Sequence, residues 1–216
     1  ASDVYKRQDY NTAIRTNRES PLAYSRRGML YMAQKKYDEA LADFDKSIEC
    51  DSTYIPSYFN RALVYSTINR PVQAIEDFSR VLALDSTSSL TYFNRAILRN
   101  QIGDYNNALA DYDKVAFYSP NNVLLYYNRA ALYRQLGDYY AAINDYTRAI
   151  ELNPSFGEAY YNRGLIQIYL KDTRKGCLDM SKAGELGIQQ AYKVLKIYGQ
   201  PGNKSVSYTH LRAHET

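Results

Sequence analysis

Between Val123 and Phe156 two helical patterns alternate with two breaks. Apolar or small residues recur at Tyr126, Ala130, Tyr133 and Leu136, the three- and four-residue spacing of one helix face. Gly137-Asp138-Tyr139 interrupts the run. A second pattern passes through Ala142, Tyr146, Ala149 and Ile150, and Asn153-Pro154 stops it. The stretch predicts a helix, a tight turn and a second helix.

The same pattern returns along the chain. Full copies occupy Pro21–Tyr54, Ile55–Ser88, Ser89–Asn122, Val123–Phe156 and Gly157–Gln190. Asp9-Tyr10-Asn11-Thr12-Ala13-Ile14 matches Asp145-Tyr146-Thr147-Arg148-Ala149-Ile150, so residues 9–20 read as the tail of a copy. Ala191–Tyr198 predicts a closing helix, ended by Gly199-Gln200-Pro201-Gly202. Small residues fall in register at Gly28, Ala62, Ala96, Ala130 and Gly164, and again at Ala40, Ala74, Ala108, Ala142 and Gly176. Such side chains let paired helices approach closely. Rings fill the space between, at Tyr24, Tyr58, Tyr92, Tyr126 and Tyr160 and at Phe44, Phe78, Tyr112 and Tyr146. One helix pair cannot bury its apolar face alone, so stacked copies share one core.

This period, with these columns, resembles the tetratricopeptide repeat (TPR) family over nearly all of residues 9–198. The resemblance implies an all-α fold, a right-handed TPR solenoid of antiparallel helix pairs with a concave groove. The last full copy departs from the pattern: Thr173 replaces the turn aromatic, Met180 the ring and Ile188 the proline. Terminal repeats are usually atypical caps.

Both ends look foreign. Asp3 to Gln8 can be written in codons whose reverse complement, read from its third base, encodes Val206-Ser207-Tyr208-Thr209-His210. Such a pair resembles a transposon sequencing adapter translated in frame. Residues 1–8 and 205–216 are therefore expected to be non-native, with 199–204 a tail, and are set aside from fold reasoning. They are expected to be loosely attached, except where Tyr5–Gln8 extends the first helix. The exclusion matters chemically, because both histidines, His210 and His214, go with it. Removing Lys6, Arg7, Arg212, Asp3 and Glu215 leaves 24 basic and 21 acidic side chains, a net +3. That balance is too mild to imply nucleic acid or an acidic membrane surface.

Two charged columns run through every full copy: Arg27, Arg61, Arg95, Arg129 and Arg163, and Asp43, Asp77, Asp111, Asp145 and Asp179, with Asp9 in the partial copy. One-for-one repetition of cation and anion favours a structural ladder of ion pairs over a basic stripe for phosphate or carboxylate ligands. A third column, Asn60, Asn94, Asn128 and Asn162, precedes the arginines, with Arg26 in the first copy. An Asn side chain offers a donor and an acceptor. It can hold a peptide unit of a bound chain, or it can bond to nearby backbone. The column resembles the asparagine ladder in the repeats of the glycosyltransferase that modifies Ser and Thr with N-acetylglucosamine.

The helix face that carries these asparagines also carries Phe59, Phe93, Tyr127 and Tyr161, then Met29, Leu63, Ile97 and Leu165, then Asn100, Gln101, Arg134 and Gln135. It reads as an apolar and aromatic binding surface edged with polar groups, against the alternative that its rings pack between neighbouring helices. Family members that grip acidic chaperone tails use Lys and Arg in the groove. Here those places hold Ser25 or rings, and Leu90, Leu124 or Glu158, which is unlike that clamp.

Enzyme chemistry has little to work with. Acid–base and metal chemistry draw heavily on His, and outside the foreign ends there is none. Cys50 and Cys177 lie more than three repeats apart. Helices packed 8–10 Å from their neighbours keep such residues beyond the roughly 7 Å that a disulfide spans. Ala183-Gly184-Glu185-Leu186-Gly187 is no phosphate loop, since it follows a helix rather than a strand. The expectation is a non-enzymatic scaffold with no metal and no cofactor. Its partner is a protein or an extended peptide, not nucleic acid, and it does not insert in a membrane. A second reading makes the array the regulatory or substrate-docking arm of a larger enzyme. A third, single-stranded RNA binding through the Arg column, is disfavoured by the intact Asp column.

Overall fold

The computed structural model describes residues 2–199, with side chains from Arg7 onward. Among these residues every regular element is a helix, twelve in all. They divide between two compact units, residues 1–120 and 121–216. Residues 205–216, expected to be foreign, lie outside the described part.

In the first unit α1 (Ser2–Thr16) packs on α2 (Pro21–Ala33). Three helix pairs follow: α2 with α3 (Tyr37–Cys50), α4 (Ile55–Thr67) with α5 (Pro71–Leu84), and α6 (Ser89–Gln101) with α7 (Tyr105–Tyr118). Tyr5–Gln8 lies within α1, which already begins at Ser2. In the second unit α8 (Val123–Gln135) pairs with α9 (Tyr139–Leu152) and α10 (Gly157–Tyr169) with α11 (Thr173–Glu185). The closing helix α12 (Gln189–Tyr198) packs on α11 and starts two residues before the expected Ala191. Gly199 caps it.

Every pair turns in the same way. Lys35, Asn69, Gly103, Gly137 and Lys171 recur in register, and each has a positive φ between 59° and 82°. The next residue's N–H reaches back to the preceding helix, as in Asp138 N to Tyr133 O at 2.9 Å and Asp172 N to Gln167 O at 2.9 Å. This is the left-handed C-terminal cap that glycine adopts without steric cost. A lysine there carries a penalty of about 1–2 kcal/mol, offset in part by the entropy a glycine would lose. Lys171→Gly is therefore expected to stabilise the second unit by up to about 1 kcal/mol, measured by urea unfolding. Unchanged or lower stability would count against that strain.

The small columns sit where the paired helices cross. Ala40, Ala62, Ala74, Ala96, Ala108, Ala130 and Ala142 are fully buried. The rings Phe44, Phe78, Tyr112 and Tyr146 fill the space beside them and are at most 1 % exposed. Burying a side chain of that size contributes about 1.5–3 kcal/mol. In the last full copy both crossing positions are glycine. A Cβ on Gly176 would lie 2.5 Å from Ile168 Cγ1 and 2.8 Å from the Gly164 carbonyl oxygen. Here backbone meets backbone. Met180, in place of the ring, is fully buried, as is Cys177, whose thiol burial pushes up. Cys50 is half-buried and points its sulfur at the Arg18 carbonyl, 3.7 Å away.

Candidate functional site

Each arginine of the ladder chelates the aspartate sixteen residues on. Arg27 donates through Nε and Nη2 to Asp43 at 2.7 and 2.6 Å. Arg61 does so to Asp77 at 2.8 and 2.7 Å, and Arg95 to Asp111 at 2.9 and 2.7 Å. In the second unit Arg129 holds Asp145 at 2.7 and 2.9 Å, and Arg163 holds Asp179 at 2.7 and 2.8 Å. This is the two-pronged geometry a planar guanidinium allows. Each guanidinium also lies over the tyrosine three residues before it: Tyr24, Tyr58, Tyr92, Tyr126 or Tyr160, 5.6–5.7 Å from the ring centre.

The ladder has a third contact that the charged columns do not announce. Nη1 of Arg27 donates to Asn11 at 2.7 Å, that of Arg61 to Asp45 at 2.6 Å, that of Arg95 to Ser79 at 2.9 Å and that of Arg163 to Thr147 at 2.8 Å. All four acceptors belong to the preceding repeat's second helix. One arginine thus joins its own helix pair to the one before. The signal for it is a column of short polar residues sixteen positions earlier. Burial holds the Asp77 carboxyl above its ordinary value even against the pull of Arg61. Desolvation therefore offsets much of the attraction, as expected for buried pairs. With side chains 13–20 % exposed and the donors occupied, the arginines are not a free basic stripe. Asp9 is exposed.

The third repeat adds a variation. Where the first, second and fourth copies hold Tyr31, Tyr65 and Tyr133, it has Arg99, whose Nη1 also reaches Asp111, at 2.8 Å. An open cleft of about 430 Å³ between α3, α4 and α5 borders the ladder. Asp45, Glu49, Glu76 and Asp77 line it and outnumber Arg61 there.

The asparagines are half-buried, and three of them turn one amide hydrogen onto their own helix. Asn60 donates to the Pro56 carbonyl at 2.8 Å, Asn94 to Leu90 at 2.9 Å and Asn162 to Glu158 at 3.0 Å. Backbone bonding thus takes one N–H and leaves the other N–H and the Oδ1 acceptor. Asn162 uses its amide on the Tyr127 hydroxyl as well, at 3.1 Å.

The rings beside them are half-buried rather than open. Phe59 packs edge-on against Phe78 with centroids 5.5 Å apart, Phe93 against Tyr112 at 6.2 Å and Tyr127 against Tyr146 at 5.7 Å, and Tyr127 also meets Phe156 at a tilt, 4.7 Å away. Tyr161, Leu63 and Leu165 are also half-buried, and Ile97 is exposed. The apolar face is thus narrower than its composition suggests. Gln101 donates to Asn69 at 3.3 Å. Gln101, Arg134 and Gln135 are all exposed. Among the described residues no cluster of side chains could hold a metal ion, and no helix is long and apolar enough to cross a membrane.

Tetratricopeptide repeat models match residues 21–54 and 123–156, and a second such model matches residues 44–76. No curated protein sequence matches the chain. Solved structures match the fold closely. The C-terminal part of a TPR repeat-containing protein from Cytophaga hutchinsonii aligns with a TM-score of 0.80 at 16 % identity, over 94 % of this chain and 85 % of that one. YrrB, a TPR protein with an unusual peptide-binding site, aligns at 0.77 and 20 % identity, over 87 % and 97 %. MamA from Desulfovibrio magneticus RS-1 aligns at 0.73 and 16 % identity, over 79 % and 96 %. Repeat matches that coincide with two of the helix pairs, residues 21–54 and 123–156, on a fold shared with solved members, make this chain a tetratricopeptide repeat protein.

Proposed function

We propose that the chain is a non-enzymatic scaffold that binds an extended peptide or partner segment along the first-helix faces of its repeats. TPR proteins mediate protein–protein contacts, and YrrB is described as having a peptide-binding site. The observation that carries the reading is the asparagine column. Asn162 in the second unit, whose amide donates to the Glu158 carbonyl and to the Tyr127 hydroxyl, keeps its acceptor; Asn60 and Asn94 in the first, after bonding to their own helix, each keep a donor and an acceptor. That is what one peptide unit needs, and it is indifferent to the ligand's side chains. Asn128 stands in the same column. Phe59, Phe93, Tyr127 and Tyr161, half-buried beside the asparagines, offer ring edges to the ligand's side chains. The Arg–Asp ladder serves structure rather than ligands, and the chain divides as non-native residues 1–8, repeats over 9–198, a tail at 199–204 and non-native residues 205–216.

The test uses 12-residue peptides selected from a random display library on the chain. Asn60→Ala/Asn94→Ala and Asn128→Ala/Asn162→Ala pairs are expected to weaken the best binders about tenfold, the value of roughly one net hydrogen bond. Helix content should not change. Raising salt from 50 to 200 mM should shift affinity less than about threefold, against roughly 10³–10⁵ for six to ten phosphate contacts. Peptides that bind the alanine pairs as well as the parent, or a steep salt loss, would overturn the reading.

A further inference from the structure

The second helices carry a basic column that the ladder does not use: Lys46, Arg80, Lys114, Arg148 and Lys182. In the first, fourth and fifth copies this cation holds the glutamate three residues on. Lys46 meets Glu49 at 2.5 Å, Arg148 meets Glu151 at 3.0 Å and Lys182 meets Glu185 at 3.1 Å. The second and third copies have Ala83 and Phe117 at the glutamate's place. Arg80 still lies over the Tyr58 ring, 5.9 Å from its centre, as Arg148 does over Tyr126. The third copy lacks even this contact. Tyr118 stacks on Tyr92 there, with centroids 6.2 Å apart, and Lys114 makes no ion pair, hydrogen bond or ring contact among the described residues.

The result is an exposed patch at the end of α7. Lys114 and Phe117 lie three residues apart on one helix face. Phe117 is 77 % exposed, more than any other large apolar side chain among the described residues. Its ring meets the Tyr118 ring edge to face, with centroids 5.0 Å apart. Rings gathered beside an unused cation mark a contact surface.

The same unit holds a complement to this patch. The cleft of about 430 Å³ between α3, α4 and α5 is roomy enough for a ring, and Ile48 and Tyr65 give it apolar walls. Of its four carboxylates, Asp45 and Asp77 are taken by Arg61, and Glu49 by Lys46. Glu76 is exposed and makes no ion pair among the described residues. The cleft thus keeps one carboxylate free, and the patch keeps one ammonium free. Glu76 shares a face of α5 with Arg80, four residues on, and Arg80 is in register with Lys114. Glu76 and Lys114 therefore face the same way, so a two-fold axis between two copies lets each patch meet the other's cleft.

We propose that this chain forms a two-fold dimer in which the patch of one copy docks in the cleft of the other. The Phe117 ring enters between Ile48 and Tyr65, and the Lys114 ammonium pairs with Glu76. Lys114 and Arg80 are too few to hold an anionic membrane surface, which takes a cluster of about four to eight cations. The contact uses the second helices and the cleft, leaves the asparagine column on the first helices open, and does not depend on the scaffold reading.

Sedimentation equilibrium of the 216-residue chain tests the docking. A reversible dimer is expected below about 1 mM, the weak limit for a small contact. Lys114→Glu and Glu76→Lys should each weaken it at least about tenfold, because like charges then face each other. An equimolar mixture of these two variants should dimerise again, since each reversed charge meets its opposite. Phe117→Ser should weaken the dimer about tenfold or more through lost ring burial. All three side chains are exposed, so helix content and melting temperature should stay those of the parent. Raising NaCl from about 50 to about 500 mM should weaken the dimer severalfold. A chain that stays monomeric to about 1 mM overturns the proposal and leaves the patch to an acidic segment of another protein. A dimer that Lys114→Glu or Glu76→Lys leaves intact also overturns it, because the contact then lies elsewhere. So does loss in Lys114→Glu with no recovery in the mixture, because the acid that Lys114 meets is then not Glu76.

Discussion

Arg163→Ala should lower the unfolding free energy of the second unit by about 3–5 kcal/mol. The substitution strands Asp179, which is 7 % exposed and takes both oxygens' bonds from Arg163. An uncompensated buried carboxylate is far more costly than a lost surface pair, whose worth is about 0–1 kcal/mol. It also frees Thr147 Oγ1 and removes the cation over Tyr160. Arg95→Ala in the first unit should cost clearly less, although its pair with Asp111 looks the same. Asp111 keeps a second cation, because Arg99 Nη1 remains 2.8 Å from it. Urea unfolding followed by circular dichroism measures both. A loss below about 1 kcal/mol for Arg163→Ala would mean that the ladder is surface decoration, and equal losses would discard Arg99 as a stand-in.

A second large effect is expected at the tightest helix crossing. Alanine in place of a mid-helix glycine ordinarily stabilises by about 0.5–1 kcal/mol. At Gly176 the sign should reverse, to a loss of about 1–3 kcal/mol from overpacking. The added methyl would meet Ile168 Cγ1 at 2.5 Å and the Gly164 carbonyl oxygen at 2.8 Å, and a carbonyl cannot rotate away. Gly28→Ala is the control. Its methyl meets only the Phe44 ring, at 2.8 Å, and alanine occupies the same column in the second, third and fourth copies. Thermal melts of the two variants decide it. Gly176→Ala as stable as the parent would show that α10 and α11 can separate at little expense.

The ladder and the groove differ in how far the amino-acid pattern reveals them. Arg163 and Asp179 are sixteen residues apart on two helices joined by one turn. Their meeting follows from helix rise and turn length, which a column of matched charges reports. The Nη1 contact to Thr147 crosses to the preceding pair. It depends on how neighbouring pairs stack, and its acceptor varies among Asn, Asp, Ser and Thr. The asparagines are legible as a column but not in orientation. Whether Asn94 turns its amide to Leu90 or outward is a rotamer choice set by local crowding. The pattern overstates the aromatic face for a related reason. Phe59 and Phe93 share a face with exposed residues, yet their rings lean onto Phe78 and Tyr112 and surrender part of their surface.

Periodicity alone was enough to establish the repeat, its two helices, the closely approaching small residues and the charge pairing within a copy. Each of these depends on backbone geometry and on neighbours at most one turn away. Which donors were left over was settled only when distant helices came together. Burial is a property of the packed whole, so no local pattern marks the Phe59 and Phe93 rings as leaning inward, or Thr147 as the acceptor that Arg163 reaches in the preceding pair.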